Sequence, residues 1–416
     1  MSSHRKVPMT RTSNLFNTIL QSFSMGIGDY MRSKYAESGV DVKKRGIEYF
    51  REALNNLFPE AFCVISRDPD IPGYGLVTHI DGAGSKPVQA YLHWRETGEI
   101  GWFKGLAQDA LAMNLDDIIC VGAVPINFVD YIAVNPLRVD KDGVLKALCD
   151  GFRECLSLLD GLGIKILFSG GETADLPDQI KTLDVAVTMN GRVDLSKAIS
   201  GDGVKPGNVI IGFRSGGKTK YERRENSGIM CNGITLARLC LMDKIYQEKY
   251  PEIVEAFGGK RKYYGKFKFD DYLDELGMTV GEAILSPTRF YAPVILRILE
   301  RFRENITGLV HNTGGGLTKC LRIGRKIHYI KDNLFEPDPI FKIIQRESEE
   351  SWAAMYENYN MGVGFEVITS PEVADDIISL SERYGLEAKV IGRCERSYEG
   401  NKLTIKSLYG VFQYPL

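Results

Sequence analysis

The 416-residue chain carries 52 Lys and Arg against 54 Asp and Glu, a net charge of -2, with 44% hydrophobic and 10% aromatic residues. That balance gives no electrostatic drive toward nucleic acid or an anionic membrane, no apolar run approaches the ~18 residues of a spanning helix, and residues 1–12 lack the apolar core of a signal peptide. A cytoplasmic protein of two ordinary domains, acting on small molecules, is expected; its eight scattered cysteines, with no C-x-x-C pair, read as buried thiols rather than disulfides.

Residues 1–30 are polar, without apolar periodicity, and read as an extension before the folded body. From there, hydrophobic spacing predicts a strand at 75–80, a helix at 102–118, a strand at 126–134, a helix at 144–162 and strands at 164–168 and 183–189. This is an α/β (α+β) pattern and defines a first domain over 31–200. A connector at 193–203 leads to Lys205-Pro206-Gly207, which launches a strand at 209–212 and a second domain over 201–416. Helices are expected around 233–242, from Pro287 to about 302 and after Gly315, with a late helix-strand pair in 374–391. The charged, Tyr- and Lys-rich stretch 246–276 reads as a surface insertion.

Chemistry gathers where strands end in small residues and acids. Asp81-Gly82-Ala83-Gly84-Ser85-Lys86 follows an apolar strand and offers backbone N–H groups and a cation to phosphate while Asp81 meets a metal; a Gly-rich turn with an Asp cap is the plainer alternative. The helix at 102–118 contains Asp109, Asn114, Asp116 and Asp117. At about 100° per residue, Asp116 lies about 20° from Asp109 around the axis and Asp117 about 80°. Crowded carboxylates either sit in water or share a cation such as Mg²⁺. Ser169-Gly170-Gly171-Glu172-Thr173 repeats the strand-end pattern, and His311-Asn312-Thr313-Gly314-Gly315-Gly316 opens a helix whose free N–H groups suit an anion.

A competing motif is Gly212-Phe213-Arg214-Ser215-Gly216-Gly217-Lys218-Thr219, which matches the P-loop pattern. A P-loop needs an apolar-faced helix at Lys218-Thr219, yet 221–228 has no apolar position after Tyr221 until Ile229. Residues 214–228 therefore read as a mobile basic loop.

In order and spacing these motifs resemble the aminoimidazole ribonucleotide synthetase, or phosphoribosylformylglycinamidine cyclo-ligase, family. The resemblance spans 35–391 and includes Tyr35-x-x-Ser38-Gly39-Val40-Asp41, Gly122-Ala123-x-Pro125, Phe128-x-Asp130-Tyr131, Asn232-Gly233, Pro287-Thr288-Arg289-x-Tyr291 and Met355-Tyr356-x-x-Tyr359-Asn360-x-Gly362-Val363-Gly364. It implies two α/β domains with ATP between them, the first pairing its strands across a homodimer. It also implies a small ribonucleotide substrate, Mg²⁺ on Asp81, Asp109, Asp117 and Glu172, and phosphates near Gly82, Gly84, Ser85, Lys86, Gly170, Gly171 and Thr173. The substrate would lie against His311, Asn232, Thr313 and Gly314, Gly315 and Gly316. The implied reaction is ATP-dependent closure of an imidazole ring; a kinase or synthetase acting on another small molecule, or a non-catalytic nucleotide binder, shares the acidic strand ends. Met230 stands where family members often carry histidine, and Ser85 where threonine is usual.

Overall fold

The computed structural model describes residues 33–415 except 42, 43, 45 and 255–261, so the polar extension over 1–30 lies outside the described residues. A first sheet contains β1 (Ser66–Arg67), β2 (Tyr74–Gly82), β3 (Val124–Val134), β4 (Leu167–Asp175) and β5 (Leu183–Asp194) in the order β1-β2-β5-β3-β4. Only β3 and β4 run parallel. Alternation along β5 buries Leu183, Val185, Val187, Met189 and Val193 on one face, the face covered by the helices Gly105–Ile118 and Lys141–Gly161. The latter starts on Asp140, whose side chain accepts from Gly143 N–H, and buries Val144, Ala147, Leu148, Gly151, Phe152, Cys155 and Leu159 at helical spacing. The other face is open and apolar: Ile80, Val124, Tyr131 and Leu167 are all exposed on it.

A second, seven-stranded sheet uses β6 (Val209–Arg214), β9 (Ile306–His311), β10 (Ile327–Lys331), β11 (Val363–Thr369), β12 (Ala388–Arg396), β13 (Lys402–Ser407) and β14 (Gly410–Tyr414), with β7 (Tyr272–Leu273) and β8 (Met278–Thr279) forming a separate ribbon. Its order is β14-β13-β10-β12-β6-β11-β9. All seven residues of β11 are buried, and the helix Ala374–Glu382 packs on β6, β12 and the helix Ala292–Phe302. All eight cysteines are free, and seven are buried.

Several expectations need correction. The helix predicted from 102 begins at Gly105, after a 3-10 turn at Ile100–Phe103, because Gly101 and Gly105 weaken a continuous helix. The strand predicted at 164–168 is displaced to Leu167–Asp175, so Gly170-Gly171-Glu172-Thr173 lies inside β4 and not in a turn beyond it. Gly171 is needed there for close packing: a Cβ would lie 1.5 Å from Asp130 Oδ1 on β3. The helix expected from Pro287 starts at Ala292, and that expected after Gly315 is a 3-10 turn, Gly316–Arg322. The stretch 246–276, expected as a surface insertion, reaches the core in its described part, which leaves out 255–261. Tyr246, Tyr250, Ile253 and Tyr263 are buried, and Tyr250 Oη donates to Glu96 at 2.6 Å.

The P-loop match has no helix at Lys218-Thr219, in line with its missing apolar face. Nor is 214–228 loose. Arg289, 1% exposed, spends all five of its N–H donors there: two on the Glu222 carboxylate (2.8 and 2.7 Å), and one each on the carbonyls of Gly217 (2.8 Å), Arg214 (2.9 Å) and Gly216 (3.0 Å).

Candidate active site

The last turn of the helix Gly105–Ile118 meets the end of β9, and adjacent acids there do different work. Asp116 accepts from the N–H groups of Tyr291 (2.9 Å) and Ala292 (2.8 Å), the free donors at the start of the helix Ala292–Phe302. It is a fastening between the two halves. Asp117 instead faces three basic groups: His311 Nδ1 at 2.7 Å from Oδ1, and His79 Nε2 at 3.3 Å and Lys319 Nζ at 3.9 Å from Oδ2. Burial opposes its ionisation, but Lys319, His311 and His79 outweigh that and hold Asp117 below the usual carboxylate range. Burial lowers the pKa of His311, with Asp117 opposing, and burial likewise lowers Lys319.

Beneath this cluster Asp109 receives Lys86 Nζ at 2.8 Å, Thr288 N–H at 2.7 Å, Thr288 Oγ1 at 2.8 Å and Cys231 Sγ at 3.2 Å, all on Oδ1. Lys86, fully buried, also donates to Ser286 O, so its ammonium is committed to Asp109 and a carbonyl. Ser85 Oγ bonds Thr235 Oγ1 at 3.0 Å, and Gly84, at φ 59°, passes so close to Cys231 O that a Cβ would sit 2.8 Å from it. Asn232 follows Cys231; its Oδ1 would lie 3.3 Å from a Cβ on Gly314. Thr313 Oγ1 accepts from Lys319, and Gly316 leaves no room for a side chain against Tyr359 O, 2.4 Å from its would-be Cβ. Met230, where a histidine is usual in the resembling family, is buried in left-handed backbone at φ 58°, so the turn presenting Asn232 forms without that imidazole.

Three buried polar atoms along these contacts have no partner among the described residues: Asp109 Oδ2, Asn232 Nδ2 and His311 Nε2. Interior polar groups are nearly always paired. Here one carboxylate, one amide and one imidazole leave donors and acceptors for a polar ligand. Asp81, whose charge is felt at both His311 and Lys319, Asp109 and Asp117 carry the hard oxygens that Mg²⁺ takes, but among the described residues these three are not gathered within ligand distance of one another as Cys63, His79 and Asp117 are.

Glu172 and Thr173 are not brought to this cluster within one chain. Asp81 pairs with Val187, Val187 with Asp130 and Asp130 with Gly171, so Glu172 stands three strands from Asp81, roughly 14 Å at ~4.8 Å per strand. It also shares the open face with Tyr131, its partner on β3, whereas His79 and Asp81 share the helix-covered face. Sequence reading missed His79 and Lys319. Strand alternation, which puts His79 two residues before Asp81, carried a signal for the first.

The family model for the AIR synthase related protein N-terminal domain matches residues 61–193, and that for the C-terminal domain matches 205–401. The phosphoribosylformylglycinamidine cyclo-ligase of Methanocaldococcus jannaschii is 36% identical over 338 residues, 80% of this chain and 83% of that protein. The protein of the same name from Methanobrevibacter smithii is 31% identical over 90% of this chain and 98% of its own. Among solved structures, AaThiL complexed with AMPPCP and TMP superposes with a TM-score of 0.51 at 12% identity, covering 88% of this chain and 95% of that one, a likeness of fold. Matched in both halves and along most of its length, the chain belongs to the AIR synthase, or phosphoribosylformylglycinamidine cyclo-ligase, family.

Proposed function

We propose that the protein converts formylglycinamidine ribonucleotide to aminoimidazole ribonucleotide, with ATP yielding ADP and phosphate, in purine biosynthesis. The observation that carries this reading is the set of unpartnered atoms Asp109 Oδ2, Asn232 Nδ2 and His311 Nε2 around the Asp117-Lys319 cluster, in a chain whose relatives bear the cyclo-ligase name. An amide oxygen is a poor leaving group, so it must be phosphorylated before the neighbouring amidine nitrogen displaces it. Such a transfer depends on alignment and charge more than on a protein nucleophile.

His311 is held by its Nδ1–H on Asp117, which leaves Nε2 a lone pair. Buried and neutral, it accepts the proton that the attacking amidine nitrogen must lose as the ring closes and phosphate departs. Asn232 and Thr313 orient the amide, and the glycines Gly314, Gly315 and Gly316 let backbone approach the substrate. Gly82, Gly84 and Ser85 border the ATP phosphates, Lys86 supports that wall through its bond to Asp109, and Gly170, Gly171 and Thr173, on β4, would border the phosphates bound by a partner subunit. Mg²⁺, on Asp81, Asp109 and Asp117, would neutralise triphosphate charge.

The open apolar face with Ile80, Val124, Tyr131 and Leu167 supports a homodimer built on the first sheet. Glu172 stands on that face, so its carboxylate would serve the metal of a partner subunit. The deciding assay supplies formylglycinamidine ribonucleotide, ATP and Mg²⁺ and follows phosphate together with the dye-coupled aminoimidazole; equal amounts of both are expected. Phosphate without the aminoimidazole would move the reaction to another substrate. His311→Ala is expected to keep ATP affinity and lose about 10²-fold or more in kcat.

A further inference from the structure

Three side chains of different chemistry converge beside the catalytic cluster: Cys63 Sγ, a ring nitrogen of His79 and a carboxylate oxygen of Asp117 lie within 4.8 Å of one another, with His79 Nε2 facing Asp117 Oδ2. The His79–Asp117 separation of 3.3 Å is already the edge of a tetrahedron around an ion with bonds of about 2.0–2.3 Å. His79 Nδ1 is 2.9 Å from Asn114 Oδ1, and Asn114 is oriented because its amide nitrogen donates to Asp81 O (3.0 Å) and Ala110 O (2.8 Å). Asn114 therefore presents its oxygen, and His79 must donate from Nδ1. In the neutral imidazole the lone pair on Nε2 then faces a carboxylate oxygen. A ring nitrogen and a carboxylate oxygen at that separation suit a shared cation.

The supporting contacts are those of a metal centre. Asn114 fixes the His79 tautomer, and His311 Nδ1 holds the other oxygen of Asp117 at 2.7 Å. His79 is the accessible member, 23% exposed, while Asp117 and Cys63 are 7%. The thiol now donates to Asp117 O at 3.2 Å. A sulfur ligand disfavours Mg²⁺ and selects zinc-like ions.

We propose that Cys63, His79 and Asp117 form a binding site for a zinc-class divalent ion, and that its occupancy inhibits the enzyme by withdrawing Asp117. The inhibitory half rests on the function proposed above; the site itself does not. Binding releases the Cys63 proton to solvent, so affinity rises with pH.

The test is titration of the metal-free full-length protein, without nucleotide, with Co²⁺, followed by its sulfur-to-cobalt charge-transfer absorption. One equivalent is expected to produce the band and Zn²⁺ to bleach it. Cys63→Ser is expected to lose the band, keep Mg²⁺-dependent turnover, and need about tenfold more Zn²⁺ or above for half-inhibition. No band in the wild-type protein, or the same band in Cys63→Ser, overturns the site. His79→Gln retains every cysteine and is expected to bind Co²⁺ about tenfold more weakly; unchanged affinity overturns the site even if the serine variant fails to fold. A Zn²⁺-bleached band with undiminished turnover overturns the inhibitory half alone.

Discussion

Replacing Arg289 by lysine keeps the charge and removes the fork. The guanidinium satisfies five acceptor positions, three of them loop carbonyls, and an ammonium has only three hydrogens. At least two acceptors lose their donor in a site where Arg289 is 1% exposed. At about 1–3 kcal/mol for each buried group left unpaired, the loss is about 2–6 kcal/mol, in the range for breaking a buried ion pair. A loss near 3 kcal/mol corresponds to a fall in Tm of about 6–12 °C for domains of this size. Urea unfolding followed by circular dichroism measures it, with the midpoint shifting and the slope m unchanged. Limited proteolysis should cut 218–225 faster in Arg289→Lys. A loss under about 1 kcal/mol with unchanged cleavage would refute the reasoning, because the loop would then be held by something other than this fork.

Lys218 is exposed and starts no helix, so Lys218→Ala should leave ATP affinity and turnover within about twofold; a large loss of ATP binding would revive the P-loop. His93, fully buried and with neither ring nitrogen hydrogen-bonded among the described residues, sits edge-on to Trp102 and Phe269, and burial lowers its pKa to about 3. The unfolded chain takes up this proton near pH 6.5 and the folded one only near pH 3, so stability falls as pH drops through that window, by up to about 1.4 kcal/mol per pH unit. His93→Leu should flatten this acid limb in denaturation midpoints measured from pH 7 to 4; an unaltered slope would assign the limb to other groups. Leu167→Glu places a charge on the open face of the first sheet and should shift sedimentation toward the monomer, whereas an unchanged species would move the proposed interface elsewhere.

What the sequence made legible was local. Strand alternation and helix periodicity located most elements, and runs such as Asp81-Gly82 and His311-x-Thr313 pointed to the cluster because their chemistry is written in consecutive residues. What stayed hidden depends on contacts far apart in the chain. The spacing around the helix axis favoured Asp116, yet that acid is consumed by N–H groups 175 and 176 positions away, and only its neighbour Asp117 faces His311. The glycines at 170 and 171 looked like a turn because nothing nearby announces that Asp130 fills the space beside Gly171. Residues 214–228 looked loose because their anchor, Arg289, comes more than sixty residues later.

Asp116 also bears on how the chain assembles. One half contributes a carboxylate that only the other half can satisfy, and the other half contributes a helix start that only this acid completes. Cut at the connector near residue 200, each fragment would carry a defect that its counterpart repairs, a buried acid in one and bare amide hydrogens in the other. The pair should therefore refold best when mixed, and the intact chain should melt as one cooperative body, with the wall of the active site and the seam between the halves lost in the same event.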